Sequence, residues 1–291
     1  MTIMNDPLSQ FLARAETLLH RLDAWLPPAA PAIDWKKTLA ARWQRHFQHG
    51  ALLPVVAPQL VAWKSLRGID EQKRELDRNT RQFVAGLPAN NALLSGSRGC
   101  GKSSLVRAML GRHAKQGLRL IEVDRADLVH LPEIAAAIAG QPYRFLVFCD
   151  DLSFEADDPA YKALKAALDG SIAGAPENML IYATSNRRHL MPEFFSENAE
   201  ASRHGGEVHP GESTEEKLSL ADRFGLWLSF FPFDQDAYLD IVESWVVALG
   251  GEVDATMRRE ALQWAILRGG RSGRVARQFA ADWVGRRGLK K

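Results

Sequence analysis

Residues 92–111 constrain the chain more than any other stretch. Ala92 to Leu94 reads as a short apolar strand, Gly96-Ser97-Arg98-Gly99-Cys100-Gly101-Lys102-Ser103 as a glycine-rich turn, and Lys102 to Gly111 as a helix. The octapeptide fits G-x-x-x-x-G-K-[ST] without mismatch. That pattern carries a mechanism only in this setting, with a strand before it and a helix after it. Its glycines let the backbone curl so that successive N–H groups point inward. The helix that follows begins with unpaired N–H groups and a partial positive charge. Such a cradle suits a phosphate. Lys102 would reach the β- and γ-phosphates of a nucleotide, and Ser103 would offer its hydroxyl to Mg²⁺. Arg98 reads two ways, as a contact to nucleotide or neighbour and as a solvated loop arginine. Ser104 completes the candidate nucleotide-binding set by adjacency, as a helix residue without a role of its own.

The surrounding pattern alternates between helices and apolar strands from about Trp63 to Phe233. Helices are expected at Asp70 to Phe83, Lys102 to Gly111 and Tyr161 to Leu168. Strands are expected at Leu118 to Val123, Phe145 to Cys149, Met179 to Thr184 and Leu226 to Phe231. Strands without polar interruption, alternating with helices, predict an α/β fold whose parallel sheet is covered on both faces. Residues 63–233 thus form an αβα core. Residues 234–291 read as a helical lid, with helices at about Asp236 to Leu249, Thr256 to Leu267 and Gly273 to Val284.

Residues 1–62 read as a separate helical segment. Leu8, Phe11, Leu12, Ala15, Leu18, Leu19, Leu22 and Leu26 recur at helical spacing, and Pro27, Pro28 and Pro31 end the run. A second helix is expected from about Trp35 to Phe47, with Lys36, Lys37, Arg42, Arg45 and His46 on a solvated face. The glutamate-, glycine- and serine-rich stretch from about Glu193 to Glu216 reads as a mobile loop. His204 and His209 lie in it without the ligand spacing of a metal site.

The strand Phe145 to Cys149 ends in Asp150-Asp151. Carboxylates at the C-terminal end of a buried strand stand where open α/β sheets bind ligands. Asp150 is the candidate holder of Mg²⁺, through water, because Mg²⁺ keeps several waters. Asp151 is the candidate that directs or deprotonates an attacking water, with Glu155 its rival. An ordinary acidic turn is the plain alternative. The strand Met179 to Thr184 runs into Ser185-Asn186-Arg187-Arg188. Asn186 is either a loop asparagine or a donor that holds the lytic water and senses the γ-phosphate. Arg223, in Leu220 to Phe224, is either a cation at a helix C-terminus or an arginine supplied in trans to a transferring phosphoryl group. Arg274 opens the last helix, where the helix dipole disfavours a cation unless an anion lies near. It is the candidate cis contact to the γ-phosphate, with Arg271 the alternative.

Bulk properties exclude several classes. Hydrophobic residues make up 46% and charged residues 25%, with a formal net charge of +2, so the chain is no polyelectrolyte and has apolar mass for a core. No run approaches the roughly 18–20 apolar residues that span a bilayer. The N-terminus lacks a basic stretch followed by an apolar one, as a signal peptide would have. Cys100 and Cys149 sit inside the motifs and make no disulfide framework, so a cytoplasmic location is expected.

Taken in order, Gly96–Ser103, Asp150-Asp151, Asn186, Arg223 and Arg274 resemble the Walker A, Walker B, sensor 1, arginine-finger and sensor 2 series of AAA+ P-loop ATPases. Leu66-Arg67-Gly68-Ile69-Asp70, Cys149 to Glu155 and Leu220 to Trp227 resemble more closely a bacterial AAA+ family, domain of unknown function 815. That resemblance covers roughly Val61 to the C-terminus. The acid pair and Ala183-Thr184-Ser185-Asn186 are also similar to bacterial helicase loaders and replication initiators. The resemblance implies ATP and Mg²⁺ as cofactors, an adenine pocket around Arg67 to Ile69, and a homo-oligomer in which Arg223 reaches a neighbour's site. It implies work on a protein or nucleic-acid client. The typical class has Asp-Glu where this chain has Asp150-Asp151. The shorter acid reaches less far, which favours slow hydrolysis and keeps Glu155 in play. Three functions compete: an ATP-driven remodeller or motor, a slow ATP-dependent switch or loader, and a P-loop kinase for a small acceptor.

Overall fold

A computed structural model of the chain describes residues 8, 11–12, 14–18, 32–46, 49–154, 158–169, 176–186, 203–204, 207–208, 220 and 222–289. Its strands are β1 (Ala40–His46), β2 (His49–Pro54), β3 (Ala92–Gly96), β4 (Leu118–Glu122), β5 (Arg144–Cys149), β6 (Met179–Ser185), β7 (Arg203–His204), β8 (Glu207–Val208) and β9 (Leu226–Phe230). Its helices are α1 (Asp70–Val84), α2 (Lys102–His113), α3 (Leu131–Ile138), α4 (Pro159–Asp169), α5 (Gln235–Ala248), α6 (Ala255–Leu267) and α7 (Gly273–Gly288).

Seven strands form one sheet in the order β2-β1-β4-β5-β6-β3-β9. Every neighbouring pair runs parallel except β1 and β2, which are antiparallel. The central strands are buried on both faces, which is why they read as unbroken apolar runs. Successive side chains still alternate between faces. Leu146 and Phe148 enter the core on one face, with Leu76 of α1, Leu105 of α2 and Phe279 of α7. Phe145, Val147 and Cys149 enter the other, with Ile134 of α3 and Leu164 of α4.

Within the stretch from Trp35 to Phe47, where a helix was expected, Ala40–His46 is a strand. Ala41 and Trp43 are buried while Arg42 and Gln44 are exposed, an alternation of period two over these four residues. Alanine, arginine and glutamine are good helix formers, so local propensity favoured the helix. Parallel pairing with β4 and antiparallel pairing with β2 override it. Helix α3 is a further difference, since no element was expected between Val123 and Phe145. Leu8, Phe11, Leu12 and residues 14–18 are helical, as the spacing predicts, and the side chains of Leu8, Phe11, Leu12 and Leu18 are exposed. Most of residues 193–216 lie outside the described residues; β7 and β8 pair within that stretch.

Helices α5 to α7 fall close to the expected lid helices. Asp234, Asp254 and Ser272 cap them, each accepting an N–H from the first turn. The lid joins the core through its shared apolar cluster and through Arg67, whose guanidinium donates to Asp240 at 3.1 Å.

Candidate nucleotide-binding site

Parallel register brings three strand ends to one edge of the sheet. Ser95 of β3 lies opposite Ser185 of β6, and Cys149 of β5 lies opposite Ala183 of β6. The glycine-rich loop leaves β3 there, the acid pair leaves β5, and Asn186 leaves β6. Gly96 has φ 121°, and a Cβ on it would lie 2.0 Å from the Phe230 carbonyl oxygen of β9, so no other residue fits where the loop leaves β3. Ser97 N–H donates to that same carbonyl at 3.0 Å and ties the loop to β9.

Lys102 begins α2 and is 6% exposed. Its ammonium donates to the carbonyls of Gly96 at 2.7 Å and Ser97 at 2.8 Å, and to Asn186 Oδ1 at 2.9 Å. Burial lowers its pKa, against the opposing pull of Cys100, Asp150 and Asp151. Asn186 Nδ2 donates to Asp151 Oδ1 at 2.5 Å. Its amide therefore stands between a cation and a carboxylate, its oxygen towards the first and its nitrogen towards the second. Ser103 Oγ donates to Asp150 Oδ1 at 2.5 Å. Thr184 Oγ1 donates to the same oxygen at 2.5 Å and accepts the Asp151 N–H at 2.9 Å. Burial raises the pKa of Cys100, and the Lys102 charge only partly offsets it, so this loop thiol stays protonated.

Helix α7 begins against the loop. Arg274 N–H donates to the Gly99 carbonyl at 3.3 Å. A Cβ on Gly99 would lie 2.9 Å from Ser272 Oγ and 3.2 Å from Arg274 Cβ, so glycine permits the approach. The backbone of Arg274 is thus held at the loop, and exposed Arg271 lies on the other side of the Ser272 cap. Ile69 is buried, and a Cβ on Gly101 would come within 3.4 Å of its Cδ1. Arg98 is exposed, and Ser104 is a half-buried residue of α2.

Arg223 is not brought to this edge. β9 starts at Leu226 opposite Ala92, whereas the loop leaves β3 at Gly96 opposite Phe230. Four strand steps of about 3.3 Å each separate the two ends. Arg223 pairs there with Asp169, the last residue of α4. Glu155, Arg187, Arg188 and His209 lie outside the described residues. Thr184 was given no role from the sequence. Its signal is a hydroxyl at the penultimate position of a strand whose register sets it beside Asp150.

A family profile described as a protein of unknown function (DUF815) matches residues 36–287. The chain belongs to the DUF815 family. No curated protein matches this DUF815 chain. Among solved structures it is similar to a RuvB variant from Thermotoga maritima, with TM-score 0.53 and 16% identity over 76% of this chain and 63% of that one. It is similar to the FIGL-1 AAA domain in complex with ADP, with TM-score 0.52 and 15% identity over 78% and 74%. It is also similar to the Aeropyrum pernix ORC1 protein in complex with DNA, with TM-score 0.54 and 18% identity over 81% and 63%. These neighbours are AAA+ ATPases, and the DUF815 chain has the AAA+ P-loop fold that its motif order resembles. Among the described residues no helix is long and apolar enough to cross a membrane.

Proposed function

We propose that this DUF815 protein binds ATP with Mg²⁺ and hydrolyses it to ADP and phosphate, and that it does so as an oligomer that remodels or loads a protein or nucleic-acid client. The observation that carries the reading is the convergence of Lys102, Ser103, Asp150, Asp151 and Asn186 through direct hydrogen bonds at the tips of three adjacent strands. A turn that merely joined a strand to a helix would have no need of a buried, desolvated lysine.

The donor set fits magnesium, because Ser103 Oγ and Asp150 Oδ1 are hard oxygen ligands 2.5 Å apart. Because the Ser103 proton points to Asp150, the lone pairs of Ser103 remain for a cation. Ser103 and Asp150 would hold Mg²⁺, whose positive charge would offset the negative charge developing on the phosphates. The loop N–H groups and the start of α2 would hold the phosphate chain. All three Lys102 protons are engaged, so reaching a phosphate oxygen means giving up at least one present partner. Asp151 would orient the water that attacks the γ-phosphorus, accepting its proton as the bond to the β-phosphate oxygen breaks. Asn186 would fix that carboxylate, and Arg274 would report the γ-phosphate to the lid. Arg67 to Ile69 would border the adenine. Glu155 stays a second candidate for directing water.

Arg223 completes the site in trans in this reading, because it lies at the opposite sheet end from its own phosphate loop. The complexes of the FIGL-1 AAA domain with ADP and of ORC1 with DNA make a nucleotide and a nucleic-acid client reasonable ligands to assay here. The shorter Asp151 favours a second reading, a slow switch that holds its partner while ATP is bound.

The decisive experiment measures ATP turnover per subunit against protein concentration for wild type and Arg223→Ala. Specific activity that rises with concentration in wild type and stays flat in a variant that still binds ATP supports the shared-site oligomer. Activity that is independent of concentration and kept by the variant overturns it and moves a monomeric kinase forward. A rate stimulated by a client separates the remodeller from the switch.

A further inference from the structure

Strand β6 runs between β5, which ends in the acid pair, and β3, which ends in the phosphate loop. Its Thr184 is 1% exposed. The Thr184 hydroxyl makes two bonds of opposite sense. It donates its one proton to Asp150 Oδ1 at 2.5 Å and accepts the Asp151 N–H at 2.9 Å. The Thr184 carbonyl accepts the N–H of Leu152 at 2.6 Å. One residue therefore grips three successive residues of the acid turn.

The middle one is unusual. Asp151, at φ 55°, is the one non-glycine residue in the left-handed region among the described residues. Side chains rarely adopt that conformation, and it persists where surrounding bonds over-determine it. Two of the bonds that do so come from Thr184. In this conformation the Asp151 carboxylate meets Asn186 Nδ2 at 2.5 Å, and Asn186 Oδ1 meets the Lys102 ammonium at 2.9 Å. Asp150 shares its Thr184-bound oxygen with Ser103. The hydroxyl is thus the branch point between the cation-side pair, Ser103 and Asp150, and the water-side chain, Asp151 to Asn186 to Lys102.

We propose that Thr184 is a positioning residue of this site: its hydroxyl orients Asp150 towards the cation and holds Asp151 in the left-handed turn that aims the shorter acid at Asn186. The inference rests on the hydrolytic reading above. Valine has nearly the same shape and would fill the same buried space, so packing alone does not call for a hydroxyl here. Its one proton goes to the Asp150 carboxylate, and it accepts the main-chain N–H of Asp151.

The test compares wild type, T184V and T184S as full chains. It reads kcat and KM for ATP, and Mn²⁺ affinity by electron paramagnetic resonance in the presence of a non-hydrolysable ATP analogue. It also reads the thermal unfolding midpoint. T184V is expected to lose about 10²-fold in kcat, the scale of a small misplacement of a reacting group. Its Mn²⁺ affinity should fall about 10- to 100-fold, as when a partner of a metal ligand is removed. KM and the unfolding midpoint should stay near wild type. T184S, which keeps the hydroxyl, should restore both kcat and Mn²⁺ affinity. T184V with wild-type kcat and Mn²⁺ affinity overturns the proposal, and so does T184S failing as T184V does, since the methyl group and not the hydroxyl would then matter. If T184V does not fold, T184A must show the same loss of Mn²⁺ affinity or the proposal falls. A wild-type chain that binds Mn²⁺ and analogue without turnover overturns the hydrolytic reading, while weakened Mn²⁺ binding in T184V would still carry the bridge to Asp150.

Discussion

The two ends of the central strands use polar side chains in opposite ways. At the N-terminal ends, apart from the Arg223–Asp169 pair, side chains bond mainly to the main chain. Asn91 Oδ1 accepts the Ile181 N–H at 2.8 Å, Asn178 donates to the Ile138 carbonyl at 2.9 Å, and Asn79 donates to the Asn90 carbonyl at 2.8 Å. Arg144 donates to the Glu177 carbonyl at 2.6 Å. At the C-terminal ends, side chains bond to one another, with Ser103 and Thr184 on Asp150, Asn186 on Asp151 and Lys102 on Asn186. A side chain satisfied by backbone stitches the fold and has little left for a ligand. A cluster of side chains satisfied mostly by each other can exchange one partner for a ligand atom without unpairing a strand. The difference picks out the edge of the candidate site without reference to any motif.

The sharpest way to break this contrast is one substitution at each end. Lys102→Ala should lower ATP turnover by about 10²- to 10³-fold, the scale of removing one charge-stabilising donor. It should not lower the unfolding midpoint, because burial already disfavours the ammonium that is removed. Turnover assays and thermal denaturation on the same preparation check both halves. Asn91→Ala should do the reverse. It strands the N–H of buried Ile181 and should cost about 1–3 kcal/mol in urea unfolding, with turnover per folded molecule unchanged. Lost stability in the first variant, or lost turnover in the second, would erase the distinction.

The same contrast explains what was legible in the sequence. The C-terminal edge was readable because its residue types are dictated by chemistry at fixed positions: glycines where φ is positive, a lysine and serine after them, acids at a strand tip. The sheet was readable where strands are buried on both faces, since Phe145 to Cys149 and Met179 to Thr184 admit little but apolar residues. Strand β1 was not readable, because Ala40 to Arg45 has the composition of a helix and its alternation gains meaning only beside β4. Thr184 was hidden for a related reason. Its partner lies on a neighbouring strand, and sequence spacing carries no register. Arg223 was seen, but its pairing with Asp169 joins elements far apart in the chain and leaves no local trace.

A smaller effect sharpens the comparison from the structural end. The Tyr182 hydroxyl is fully buried and bonds Thr80 Oγ1 at 2.9 Å and Asn79 Nδ2 at 3.0 Å, joining α1 to β6. Thr80 also bonds the Leu76 carbonyl, and Asn79 the Asn90 carbonyl. Both partners therefore stay satisfied when the hydroxyl is removed. Tyr182→Phe should cost only about 0.5–1.5 kcal/mol in urea unfolding and leave turnover unchanged. A larger loss would mean that the network acts as a unit.

Alkaline titration separates the two ends in a single wild-type sample, with the smallest effect. Burial lowers the Lys102 pKa below its ordinary 10.5, so the free protein begins to lose this ammonium sooner than an exposed lysine would. A phosphate favours the charged form, so nucleotide binding takes up a proton there, and affinity falls as pH rises through the lowered value, by at most about tenfold per pH unit. Lys102 has the opposite sign for stability. Its ammonium is disfavoured in the folded state, so deprotonation between the lowered value and 10.5 relieves a cost. Burial pushes the Tyr182 hydroxyl from 10.0 up to about 12. Its contribution to stability is complete below 10 and is lost only as pH climbs from 10 towards 12, where the unfolded chain ionises and the folded one does not. Below pH 9, where neither Tyr182 nor the buried thiols of Cys100 and Cys149 yet ionise in the unfolded chain, any weakening of equilibrium nucleotide binding by loss of the Lys102 proton should come without a fall in the unfolding midpoint. A midpoint that fell together with affinity would mean that the two ends of the sheet are energetically one structure, and the division between stitching and working polar groups would fail.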